Sequence, residues 1–279
     1  MLWTPGNSWN FKQWAMDGIE GGYGPQTVTP AQNSKGSYST ALMTASQDAM
    51  LVAVCINSNS SSTFARDTLV DIGVDPAGGT SYTVLLPDLL GSCAGALEHI
   101  GVWYVFPVFV KSGSTIAARA SVNNATVGTL LVNVILFGKP TRPDLVKCGA
   151  KVTAYGITAA SSRGTTVTPG TDVEGSWTQI VASTSEFHWW WQMGIGVNDA
   201  SMSAIPYGCD CAYGDATNKH TIIENSILAL TTSEQARYPA LMDLIQGYRE
   251  VPASSILYGR IECSTTPDSA ISMALYGVS

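Results

Sequence analysis

The chain has 279 residues, of which 45% are hydrophobic and only 13% charged, and it carries a net charge of −7. Ser, Thr, Gly and Asn supply the polarity instead, a balance found in all-β proteins that work outside cells and in virion proteins. The acidic balance and the lack of any Lys/Arg run exclude a nucleic-acid partner, because phosphate binding needs clustered cations.

The N-terminal MLWTPGNSWNF has no positively charged opening followed by an apolar core, so it is not expected to act as a secretory signal. No apolar stretch reaches the length of a membrane span, and GVWYVFPVFV is the longest candidate. Trp3, Trp9, Phe11 and Trp14 crowd residues 1–21. So many aromatics on one tail predict an anchoring arm, docked on the chain's own domains or on a neighbouring subunit.

TVTPAQNSKGSYS, starting at Thr27, returns as TVTPGTDVEGSWT at Thr166, 139 positions later (166 − 27), with six identities and Tyr38 replaced by Trp177. VKSGSTIAAR (110–119) returns as VPASSILYGR (251–260) at a spacing of 141 (260 − 119), and VNVILFG, closing at Gly138, returns as ISMALYG, closing at Gly277. Three colinear matches predict a tandem duplication. The domains read as 22–138 and 161–279, with an arm at 1–21 and a Pro-containing linker at 139–160, and each half is long enough to bury its own core.

Within the first half, AMLVAVCIN, DTLVDIGV, SYTVLL, VWYVFPVFV, STIAARASV and TLLVNVILFG read as strands separated by turn clusters such as NSNSSS and DPAGG. In the second, WTQIVAS, FHWWWQMGIGV, SILALTT, SSILYGRIE and AISMALYGV play the same part. The expected fold is all-β: two tandem jelly-roll-like antiparallel β-sandwiches. Leucines at helical spacing in LLPDLLGSCAGALEHIG (85–101), and the face formed in SEQARYPALMDLIQGY (233–248), predict a short helix in a connection of each half. DASMSAIPYGCDCAYGDATNKH (199–220) reads as a long loop of the second half.

Catalytic signatures such as G-x-S-x-G and H-E-x-x-H do not occur, and neither does a phosphate loop. No cofactor and no metal are expected. Cys209-Asp210-Cys211 lacks a second pair at zinc spacing, and the six cysteines read as reduced thiols. The run His188-Trp189-Trp190-Trp191 stands out. On a regular strand Trp189 and Trp191 share one face, and His188 and Trp190 the other. Three uses compete: core and inter-domain packing, a subunit interface, or a sugar-stacking platform. Trp189 and Trp191, with Tyr207 and Tyr213 in the expected loop, are the candidate ligand or interface contacts. Arg119 and Arg260, repeated in mid-strand, call for a shared partner inside each domain, a carboxylate or carbonyl groups.

The stretch FPVFVKSGSTIAARASVNNATVGTLLVNVILFG resembles structural proteins of tailed bacteriophages and phage-like particles. The resemblance covers the last third of the first half and, more loosely, the same part of the second. It implies a virion β-sandwich protein: a head spike or fibre, a decoration protein or a tail appendage. Such a protein is non-enzymatic, forms symmetric homo-oligomers, contacts other virion proteins and can meet host surface polysaccharide. The alternative from the residues alone is a cellular glycan-binding or glycan-active protein on the same architecture.

Overall fold

The structure is a computed structural model and describes residues 19–21, 26–58, 66–93, 102–123, 129–138, 147–162, 164–197, 206–229, 248–264 and 271–279. The first half runs β1 (Ile19–Gly21), β2 (Gln26–Val28), β3 (Ala31–Gln32), β4 (Met43–Thr44), β5 (Ala49–Ser58), β6 (Arg66–Asp75), β7 (Thr83–Cys93), β8 (Val102–Phe106), β9 (Thr115–Val122) and β10 (Leu130–Gly138). The second repeats the series as β11 (Val152–Tyr155), β12 (Thr165–Val167), β13 (Gly170–Thr171), β14 (Thr178–Val181), β15 (His188–Val197), β16 (Pro206–Gly214), β17 (Lys219–Ala229), β18 (Tyr248–Val251), β19 (Ile256–Cys263) and β20 (Ile271–Val278).

The pairings are the same in both halves. One sheet is ordered β1-β10-β5-β8 with β2 also on β10, and its mate β3-β9-β6-β7 with β4 also on β9; in the second half β11-β20-β15-β18 takes β12, and β13-β19-β16-β17 takes β14. If each pair of short leading strands is counted as one, this is the eight-strand jelly roll in which first and last strands are neighbours. Strand β10 shows why the layers form: Leu130, Val132, Val134 and Leu136 are buried and alternate with half-buried Leu131, Asn133, Ile135 and Phe137. The two outermost strands β1 and β11 come from residues outside the sequence-matched halves.

The repeated TVTP is the corner between layers. β2 ends at Val28 on β10, and β3 begins at Ala31 in the other sheet, parallel to β9; β12 and β13 do the same around Thr168 and Pro169. Proline has no N–H to lose where a strand leaves its ladder. Beyond the corner, Asn33 and Asp172 sit at φ 53° and 54° and donate their N–H groups to Val122 O and Cys263 O, each at 2.8 Å. Asn and Asp tolerate this left-handed backbone best after glycine. Gly36 and Gly175 then hold the chain against the next carbonyls of β9 and β19; a Cβ on Gly175 would lie 2.6 Å from Ile261 O.

Three expectations are corrected. The leucines of 85–93 belong to strand β7, not to a helix. Pro87 and Asp88 form a bulge opposite Asp71, so Leu86 and Leu89 both turn inward, onto Ile72 and Val70, and imitate helical spacing. The proposed second helix lies almost wholly outside the described residues. The presumed long loop is strand β16 over 206–214, the counterpart of β6, in which Tyr207, Cys209 and Cys211 fill the buried positions. Finally, ladder register sets Leu130 on Val28 and Ile271 on Val167, which makes the last-strand spacing 141 (271 − 130), two residues away from the match on Gly138 and Gly277.

The halves are joined head to tail through unlike surfaces. In the second half, Trp191, Met193, Met273 and Leu275 face its own core, while Trp190, Ala274, Tyr276 and Val278, on the opposite face of the same sheet, belong to the core of the first half. That face closes the open end of the first sandwich, between edge strands β7 and β8. Tyr276 enters between the layers, its ring edge-on to Tyr104 and Phe106 at 5.4 and 6.1 Å. Its hydroxyl accepts from Leu90 N at 2.7 Å and donates to Asp88 O at 2.9 Å, satisfying the free edge of β7. Around the joint Gly149 bridges Val108, and Ala150 and Lys151 bond Ser279.

Candidate functional site

The strongest polar constellation occurs twice. In the first half Asp71, on central strand β6 and 5% exposed, receives Arg119 Nε on Oδ2 at 2.9 Å. Its Oδ1 receives Lys35 Nζ at 2.7 Å and the N–H of Asp88, the φ 51° bulge residue, at 2.9 Å. Lys35 also pairs with Asp88 Oδ1 at 2.9 Å, and the Arg119 guanidinium lies 4.8 Å over the Tyr38 ring. In the second half Asp210 takes Arg260 Nε at 2.8 Å and the N–H of Asn225, at φ 52°, at 2.6 Å, with Arg260 4.4 Å over Trp177. Glu174 replaces Lys35 and binds the outer nitrogens of Arg260, Nη2 at 2.6 Å. The cation–ring contact adds roughly 0.5–1 kcal/mol at such half-open sites. The repeated phrase thus supplies the aromatic lid, and the repeated arginine the cation, of one structural knot. The arginine's expected internal partner is a carboxylate. Sequence reasoning did not pick out Asp71 and Asp210, although they stand 139 apart (210 − 71) in the same spacing as the phrase.

The tryptophan run is buried throughout. Trp189, Trp190 and Trp191 are 4%, 2% and 0% exposed. Their faces differ from the simple alternation. His188 lies against Trp191, ring centroids 5.1 Å apart, and Trp189 lies beside Trp190 at 6.4 Å. In the pairing with β18 two residues, Arg249 and Glu250, lie opposite Trp189, and Trp189 and Trp190 both belong to the core of the first half. Trp191 donates its ring N–H to Arg249 O at 3.1 Å. Of the three uses open at the sequence level, this placement is core and inter-half packing.

Tyr207 is buried in the second core. Tyr213 is half-buried at the end of β16, with its ring 5.2 Å from that of exposed His220. Among the candidate contacts it is the one that keeps access to solvent, and the structure does not bring it together with the tryptophans in one pocket. Trp3, Trp9, Phe11 and Trp14 lie outside the described residues. Among the described residues, no cluster of His, Cys, Asp and Glu fits a metal ion, and Cys55, Cys148, Cys209, Cys211 and Cys263 are free thiols. Burial pushes Cys55 up to about 11 and Cys148 to about 12, so both stay protonated and unreactive near neutrality.

His188 Nε2 lies 2.7 Å from Tyr155 Oη, and the ring is fully buried. Burial lowers its pKa from 6.5, against the opposing pull of the Glu186 carboxylate. The unfolded chain therefore binds a proton before the folded one does. Stability is fully present above about pH 6.5 and declines as pH falls through the folded value. Urea midpoints should drop between about pH 7 and about pH 5, and His188→Gln should flatten that part of the profile. Glu186, held low by Lys151 first and Thr153 after it, acts only further into acid.

The site and the fold define a tandem all-β sandwich protein built on a duplicated jelly roll. No family model and no curated protein matches the sequence. Among solved structures, PNGF-II aligns with TM-score 0.35 and 11% identity over 91% of this chain, which spans only 65% of that protein's length. The STIV MCP, a viral capsid protein, aligns with TM-score 0.32 and 8% identity over 94% of this chain and 96% of that one. The CBM22-1-CBM22-2 tandem domain of Xyn10C from Paenibacillus barcinonensis aligns with TM-score 0.24 and 9% identity over 95% and 94%. These are distant likenesses.

Proposed function

We propose that the chain is a non-enzymatic structural protein of a virion, a head spike or fibre or a tail appendage, which assembles with copies of itself and with other virion proteins and can bind host surface glycan. The observation that carries this reading is the use made of the charged groups both halves retain. Asp71, Arg119, Asp210 and Arg260 are tied to bulge backbones and stacked rings inside each sandwich, an architectural use rather than a reactive one. The low charge and the resemblance of residues 106–138 to phage structural proteins add to it. The test is mass spectrometry of purified particles with antibody labelling in the electron microscope. The chain is expected at fixed copy number on the particle; its absence from particles in cells that make it overturns the reading. Incubated with host polysaccharide, the protein should release no sugar.

A second reading, a cellular glycan-binding protein, is favoured by Tyr213 beside His220, an aromatic pair with solvent access at the end of a hairpin. Base-level stability should not depend on this surface pair. If glycan stacks there, Tyr213→Ala should lower retention on a glycan array by roughly tenfold, as expected for loss of one stacked ring worth about 1–1.5 kcal/mol. Unchanged retention removes Tyr213 from any binding site.

A further inference from the structure

The joint between the halves uses an edge of one jelly roll and a sheet face of the other. A contact between unlike surfaces leaves one copy of each surface over: the β17 edge of the second half, and the outer face of sheet β1-β10-β5-β8 in the first. Register identifies the leftover positions. Leu90, whose N–H donates to the Tyr276 hydroxyl, is fully buried; its counterpart by pairing with β16 is Ile227, which is 66% exposed. On the sheet face, Ala274, Tyr276 and Val278 are 0% exposed in the core of the first half, and Ser272, next along the strand, is 0% exposed as well. Their counterparts Leu131, Asn133, Ile135 and Phe137 are only half-buried, and none is charged. Trp103 on β8, across β5 from these positions, is 37% exposed. Leu51 and Ala53 of β5, on the same face, are buried within the chain; the accessible positions lie on β10 and β8, to either side of that strand. Asn133 Oδ1 is shut off from solvent and has no hydrogen-bond partner among the described residues; buried acceptors in finished structures have partners.

We propose that a second copy of this chain covers that face: its β17 edge, led by Ile227, docks on Ile135, Leu131 and Trp103, repeating between chains the contact the halves make within one. Continuity with the internal joint names the occupant, because the duplicated fold shows what such a face accepts. The contact is heterologous, so each chain donates an edge and receives one, and assembly proceeds beyond a two-fold dimer into a ring or an open row. The inference rests on the reading of the chain as a self-assembling structural protein, but its test needs no particle.

Light scattering and sedimentation on the full chain should show species larger than a dimer. Ile227→Asp, a surface change that leaves the circular dichroism unaltered, should abolish them. The double variant Ile135→Cys/Ile227→Cys should give a ladder of disulfide-linked chains under mild oxidant, well above the background of the native thiols and of either single variant. A monomeric wild type, the result expected if residues 1–18 cover the face instead, overturns the proposal. So does assembly that survives Ile227→Asp, or a two-fold dimer cross-linked by Ile135→Cys alone. Particle association is scored separately, so the virion reading can fail while this contact stands, or the reverse.

Discussion

Asp71→Ala should destabilise the protein by about 3 kcal/mol or more, the cost of removing one partner from a buried ion pair. The change takes the carboxylate from Arg119, leaves Lys35 with Asp88 alone, and leaves the Asp88 N–H without its acceptor at a bulge that needs a left-handed residue. Arg119 is about one-third exposed and can be rehydrated in part, which keeps the loss at the lower end of the range. Asp210→Ala should cost less, although it breaks the same arginine contact, because Glu174 still holds Arg260, whereas among the described residues Asp71 is the carboxylate that pairs with Arg119. Denaturant unfolding of both variants measures the order. Equal losses would mean that the Lys35/Glu174 exchange does not compensate the charge. Asp71→Asn, which keeps an acceptor for the bulge, should fall between wild type and alanine.

Tyr276→Ala should cost about 3–5 kcal/mol, in the range for deleting a large buried ring. The cavity would open where the halves meet, between Tyr104, Phe106 and the β7 edge. Tyr276→Phe keeps the ring and removes only the hydroxyl, so Leu90 N–H loses its acceptor and the expected loss is about 1–3 kcal/mol. Because the ring belongs to the joint, the alanine variant should also loosen the coupling between halves. Calorimetry is then expected to show two transitions for the alanine variant and one for the wild type. A single transition at lowered temperature would show that the remaining contacts, Trp190 and Val278 among them, still couple the sandwiches.

The duplication was legible because turn chemistry is local. Thr-Pro corners, a left-handed Asn or Asp and a tightly packed glycine must recur wherever the same bend recurs. Strands β5, β6, β9 and β10 were legible because β-branched residues alternate with smaller or polar ones. β16 was not, because cysteines and tyrosines took the buried places and read as loop chemistry. β7 was misread because a bulge converts a two-residue period into one that looks helical. The partners of the arginines and the role of Tyr276 depend on contacts between distant strands, and no spacing within one segment encodes them. Trp189 was grouped with Trp191 for a similar reason: it packs in the core of the first half and Trp191 in that of the second, a difference set by contacts far along the chain.

The corner at Thr29 and Pro30 gives each sandwich a mechanical property. One short segment is stitched to β10 in one layer and to β9 in the other, so the layers cannot slide past each other without tearing ladder bonds. Tension entering from the N-terminal side is shared between both sheets at once, and the second half carries the same stitch at Thr168 and Pro169.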